Sequence, residues 1–314
     1  MKQRIFGIFA VLVFVSAAAF GQSYILDMQR ESARSDKLTG GAIEKTRLAG
    51  GEPDVKITIN VPAFQMTLWQ KGKEVRSYPI GVGLLEYPII IGRREATSVE
   101  WNPVWIPPSS DWIEKSSTVK PGEIILPTDP RNPLGKVKIP LGYGYLIHQA
   151  KGPGDLGSLV SHGCVRVMQA DLYDLAEKII AARGLDVSAE QIAAAKRNKK
   201  TLIATLDPFV PVEITYDTMV VENGRLHIYP DVYNHKRNTV ENLRAELRTS
   251  GIDDSKQTDA ELKKMLAKAN AKRMFVVNAS DLEAGMGLTN GRAVSVLETT
   301  VRPRPTAGRT ARKR

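Results

Sequence analysis

The chain has 314 residues, 42% of them hydrophobic, a formal charge of +10, four histidines and one cysteine. That length suits one substantial domain with an appendage, and a lone cysteine excludes an internal disulfide. Lys2 and Arg4 supply two of the positive charges and residues 302–314 supply six, so the body is nearly neutral and offers no basic groove for nucleic acid.

The opening "MKQRIFGIFAVLVFVSAAAFGQS" places a short basic segment before an apolar, charge-free run, Ile5 to Ala19. Small residues at Ala19 and Gly21 then sit where a signal peptidase reads. The pattern predicts a secretory signal peptide over 1–21, and export to the periplasm or cell envelope. The run is short for a bilayer span of about 20 residues. No stable membrane span is expected after cleavage; an uncleaved anchor is the alternative. Residues 22–53 are polar and glycine-containing and read as a linker.

At Val55 the pattern changes. "VKITINV" alternates apolar and polar residues as a half-buried strand does, "FQMTLWQ" follows, and Lys71-Gly72 turns the chain into "KEVRSYPIGVG". Residues 101–140 hold eight prolines and three tryptophans. Proline forbids helix interiors and central strands, so this is a long irregular segment of the kind that covers a site. Two of Trp101, Trp105 and Trp112 are expected in the core. "QADLYDLAEKIIAARGL" carries apolar residues at helical spacing and stops at Gly184, and Ser188 with Gln191 forms a capping box for a second helix. "VPVEITYD" resumes the strands, and Asn223-Gly224 marks a hairpin. Two short helices and two strands follow from Thr239. The tail 302–314, rich in Arg and Pro without large apolar residues, reads as disordered.

The stretch "YLIHQAKGPGDLGSLVSHGCVRV", residues 145–167, carries the chemistry. One strand ends at His148; a Gly/Pro-rich loop lets the chain double back; a turn at Ser161-His162-Gly163-Cys164 enters another strand. If the strands are neighbours, His148 can take the proton of Cys164, with a backbone carbonyl such as that of Gln149 orienting the imidazole. The resulting thiolate–imidazolium pair is one resting state. Backbone N–H groups at 162–164 could form an oxyanion hole. Two other readings stand beside this one: a zinc site of His148, His162 and Cys164 with Asp155, whose spacing matches no familiar pattern, and an inert buried thiol.

The "HQ…SHGCVRV" pattern resembles the signature of the L,D-transpeptidase (YkuD, ErfK/YbiS-like) catalytic domain. "YPIGVG", "NPVWIPP", "DPRNPLG" and "DLYDL" extend the likeness over about residues 54–182. The resemblance implies a mainly β fold: a β-sandwich with one or two flanking helices. A small C-terminal α+β appendage completes the expected chain. The domains are then a catalytic domain with a hairpin extension at 54–238 and a separate unit at 239–301. The resemblance also implies Cys164 as nucleophile and His148 as base. The carbonyl of Gln149 orients the base, and Ser161, His162 and Gly163 shape the oxyanion and donor site. Arg166 ties the motif or holds a substrate carboxylate. No metal or cofactor is implied. The implied partners are peptidoglycan stem peptides, with an envelope lipoprotein as another acceptor. A hydrolase using the same site is an alternative, as is an inactive wall-binding module. Two departures matter: Gln149 stands where the family often has Gly, and "EYPIIIG" (86–92) replaces a Thr-Pro-Thr-Gly-like segment.

Overall fold

A computed structural model describes residues 54–298. The signal peptide, linker and basic tail expected at 1–21, 22–53 and 302–314 lie outside the described residues.

The expected meander forms. β1 (Val55–Asn60) and β2 (Gln65–Gln70) pair antiparallel with Ile57 opposite Leu68. β3 (Lys73–Gly83) follows the Lys71-Gly72 turn, where both residues have positive φ. The sheet is completed by β4 (Gly92–Trp101), β5 (Val137–Pro140), β6 (Leu146–Gln149), β7 (Leu159–Ser161), β8 (Val165–Val167) and β9 (Leu202–Thr215). Its order is β2-β1-β9-β4-β5-β6-β8-β3-β7, and β2 also pairs with β3. The mainly β architecture is therefore as expected, with the two faces of the sandwich joined into a closed sheet. β3 makes the closure because it is long: its first half pairs with β2 and its second half with β8.

Three helices punctuate this sheet: α1 (Asp111–Glu114), α2 (Gln169–Arg183) and α3 (Ala189–Arg197). α2 buries Leu172, Leu175, Ile179 and Ile180 and ends at Gly184 in the left-handed region. It touches β1, β5, β6 and β9, so the sheet curls around it. Ile57, Tyr78, Trp101, Ile139, Ile147 and Val165 fill the concave side with it. α3 starts at the predicted Ser188/Gln191 capping box.

Alternation sends the remaining side chains of β4, β5, β6 and β8 to the convex side. The Pro/Trp-rich segment covers that side. Trp105, Ile113, Val119, Ile125 and Leu134 form a second apolar cluster there, against which Leu146 packs. Trp101 and Trp105 are thus the two core tryptophans.

The chain then builds a second sheet. β10 (Met219–Glu222) and β11 (Arg225–Ile228) turn at Asn223-Gly224 as predicted. α4 (Val240–Thr249), α5 (Asp259–Lys268), β12 (Arg273–Asn278), α6 (Ala279–Glu283), α7 (Gly287–Asn290) and β13 (Arg292–Ser295) follow. The sheet order β10-β11-β12-β13 corrects one expectation: the hairpin joins the C-terminal sheet and does not extend the nine-stranded one. The reason is packing, because Leu226 and Ile228 share a core with Leu243, Leu247 and Leu262 of α4 and α5. This unit sits against the barrel, where the Tyr233 hydroxyl donates to the Gly83 carbonyl at 3.0 Å. Among the described residues no helix is long and apolar enough to cross a membrane.

Candidate active site

The two strands of the motif are neighbours. β6 and β8 run parallel, with His148 opposite Arg166 and Ile147 opposite Val165. Ile147 and Val165 belong to the concave core, so His148 and Arg166 rise from the convex face. Cys164 immediately precedes β8, near the Leu146 amide and the Arg166 charge. The turn entering β8 is tightly specified. The Ser161 hydroxyl donates to the Cys164 carbonyl at 2.6 Å. Gly163 has φ +102°, and a Cβ there would lie 2.6 Å from Cε1 of Tyr145. No residue but glycine fits this bend without moving the ring.

Burial governs the electrostatics. His148 is 3% exposed. Its pKa is held well below the ordinary 6.5, first by burial and then by the charges of Arg166 and Lys138. The carbonyls of Pro133 and Leu134 lie against the ring and oppose this. Burial pushes the Cys164 thiol up, with the Leu146 amide and Arg166 pulling partly back. A dry site disfavours both ions. Burial thus works against the charged form of each group.

One positional expectation fails. The Gln149 carbonyl accepts from Nη1 of Arg166 at 3.2 Å. The carbonyls beside the imidazole are those of Pro133 and Leu134, and Nδ1 of His148 is buried without a hydrogen-bond partner. A strand carbonyl lies in the plane of the sheet and points at the next strand, whereas the imidazole rises from the face to meet the covering segment. The side chain of Gln149 serves the cover instead. Its Oε1 accepts from the Lys136 amide at 2.9 Å, and its Cβ and side-chain amide close over Gly135. It thereby fastens the cover to β6. Arg166, 8% exposed, ties the motif through the Gln149 carbonyl.

His162 is placed by residues that sequence reasoning missed. Its ring stacks on Trp112 at 4.2 Å with an 11° interplanar angle. Tyr87 lies on it at 4.6 Å, tilted by 59°. The Tyr87 hydroxyl donates to Oδ2 of Asp111 at 3.0 Å. The stack joins three distant segments, and only the concentration of aromatics in the Pro/Trp-rich segment hinted at it. Burial lowers the His162 pKa, and Asp111 opposes the shift. Among the described residues no three His, Cys, Asp or Glu side chains converge as a metal site. Asp155 instead accepts from the Lys151 amide at 2.8 Å.

Residues 54–202 match the family model of the L,D-transpeptidase catalytic domain, YkuD. This segment is similar to the L,D-transpeptidases. A probable L,D-transpeptidase, YbiS, of Escherichia coli is 33% identical over 129 residues, covering 39% of this chain and 41% of the relative. A probable L,D-transpeptidase, ErfK/SrfK, of Salmonella typhimurium is 30% identical over 129 residues, covering 39% and 40%. The chain thus spans about two fifths of the length of the curated relatives it matches. Among solved structures, an L,D-transpeptidase from Mycobacterium smegmatis aligns over 52% of this chain and 58% of its own, with 16% identity and a TM-score of 0.35. The catalytic-domain match contains every residue of the candidate site, from Tyr87 to Arg166.

Proposed function

We propose that the protein is an exported L,D-transpeptidase that forms 3→3 cross-links in peptidoglycan. The observation that carries this reading is the shared convex face of β6 and β8. It supports the reading by bringing His148 opposite Arg166, with Cys164 just before β8, within a segment that matches the L,D-transpeptidase catalytic domain.

The proposed steps are as follows. Cys164 attacks the carbonyl carbon of the third stem residue, and its proton passes to His148. A neutral imidazole is the form that can accept that proton. The oxyanion takes hydrogen bonds from backbone N–H groups of the His162–Cys164 turn, whose shape Gly163 and the Ser161 bond fix. The C–N bond to the terminal D-Ala then breaks, and the imidazolium protonates the departing amine. A thioester on Cys164 remains. An amine of a second stem attacks it, gives its proton to His148, and releases the thiolate, which is reprotonated. Arg166 and His148-H⁺ both offset the charge on sulfur while it leaves. The reaction has ping-pong kinetics.

The test is mass spectrometry of disaccharide-tetrapeptides incubated with the protein and with Cys164→Ala. Dimers lacking one D-Ala, absent with the variant, support the proposal. Tripeptide alone indicates water as acceptor. An envelope-lipoprotein lysine as acceptor gives a peptide-linked product only when that polypeptide is supplied. Unchanged substrate contradicts the proposal and favours a wall-binding role.

A further inference from the structure

Four buried polar side chains run in one row across the covered face. Glu100 of β4 is opposite Lys138 of β5, Lys138 is opposite His148 of β6, and His148 is opposite Arg166 of β8. Their exposures are 6%, 6%, 3% and 8%. Such rows are rare, because a buried charge costs several kcal/mol unless paired. Nζ of Lys138 and Oε2 of Glu100 pair at 2.9 Å. The Ser98 hydroxyl donates to Oε1 of Glu100 at 3.3 Å. Directly opposed residues place their Cβ atoms about 5 Å apart, so the pair stands next to the imidazole.

We propose that Glu100 and Lys138 are positioning residues that set the charge state of His148. This deepens the transpeptidase reading and rests on it for the identity of the base. The order of the pair is the point: the cation is the imidazole's neighbour and the anion stands one strand further away. A bare structural link could run in either direction. With the cation inward, the pair presents a positive end to His148. That favours the neutral imidazole, which can accept the thiol proton, and favours the thiolate that forms. Glu100 compensates Lys138 so that the field is moderate.

The other groups facing His148 are accounted for. On β8 this is Arg166, on which Cys164 and, from the loop, Asp155 act in turn. The covering segment contributes the carbonyls of Pro133 and Leu134, and its Asp111 faces His162. Lys138 faces His148 with Glu100 paired behind it, and both can be exchanged without touching the motif.

The experiment measures the pH dependence of Cys164 alkylation by iodoacetamide, read by intact mass on the full-length protein. It needs no wall substrate. Reversing the pair with E100K/K138E keeps the ion pair and the net charge but presents a negative end to His148. The acid limb then moves to higher pH, by on the order of one unit. The neutral double variant E100Q/K138M moves it in the same direction by less. E100Q alone leaves the cation uncompensated and moves it to lower pH. An unchanged limb in either folded double variant overturns the proposal and leaves the pair a structural link. A protein that shows these shifts but leaves tetrapeptide stems untouched refutes the transpeptidase reading and sustains the role of the pair.

Discussion

Gly163→Ala isolates the geometry of the turn from its chemistry, because it adds one methyl group and no charge. Two costs follow from the structure. The first is backbone strain: φ of +102° suits glycine, and a β-carbon there costs on the order of 1–3 kcal/mol. The second is steric. The new Cβ would sit 2.6 Å from Cε1 of Tyr145, so about 1 Å of retreat is needed to reach ordinary van der Waals contact. Tyr145 is not free to yield. It packs against the barrel core, and the Arg94 guanidinium lies 5.5 Å from its ring centroid. The turn moves instead, and with it the sulfur. A displacement of about 1 Å costs on the order of a hundredfold in rate. We therefore expect G163A to fold, to melt at a lower temperature, and to lose about a hundredfold in both Cys164 alkylation and stem-peptide turnover. G163A/Y145A removes the steric part and recovers some of that loss, while the backbone part stays. A G163A protein with unaltered rates would refute the account of the turn.

Other outcomes follow from the same structure. The His148 pKa is lowered by folding, so the unfolded chain binds the extra proton as pH falls below about 6.5, and that part of the stability is present above this pH and lost beneath it. Urea midpoints should fall between pH 7 and 5, and His148→Gln should flatten the fall; an unchanged slope contradicts the buried neutral imidazole. Gln149→Ala removes the bond to the Lys136 amide and the filling over Gly135. It should loosen the cover with a loss of about 1–3 kcal/mol in denaturant melts, and a stability within error of the parent would show that Gln149 fastens nothing. Trp112→Ala strips one face from His162. It should raise KM for stem peptides more than it lowers kcat, and a pure kcat defect would place Trp112 in the chemistry rather than beside it.

The features that sequence reveals are local. The Ser188/Gln191 box is readable because capping is settled within four residues, and it forms. The Asn223-Gly224 turn is readable because it needs two positive φ angles, and both occur. The alternation of "VKITINV" marks β1 for the same reason. What stays hidden depends on partners far along the chain. Nothing in "KEVRSYPIGVG" says that its two halves bond to different strands and close the sheet. The hairpin's own sequence does not say which sheet it joins; that is decided by Leu243, Leu247 and Leu262 beneath it.

The site divides in the same way. Cys164, His148, Ser161, Gly163 and Arg166 stand in one short stretch, and the parallel pairing of β6 and β8 sets His148 opposite Arg166. The carbonyls beside His148 come from Pro133 and Leu134, in a proline-rich segment with no periodicity to follow. Tyr87, Asp111 and Trp112 meet His162 only through folding. The row from Glu100 to Arg166 is invisible until three strand registers are known.

The most direct measurement of the central claim is rapid-quench intact mass of the protein mixed with a purified tetrapeptide stem and no acceptor. The account predicts an adduct equal to the stem less its terminal D-Ala, localised by peptide mapping to Cys164 and absent in both Cys164→Ala and His148→Ala. Turnover of the stem without any such adduct, or an adduct at another residue, would contradict it.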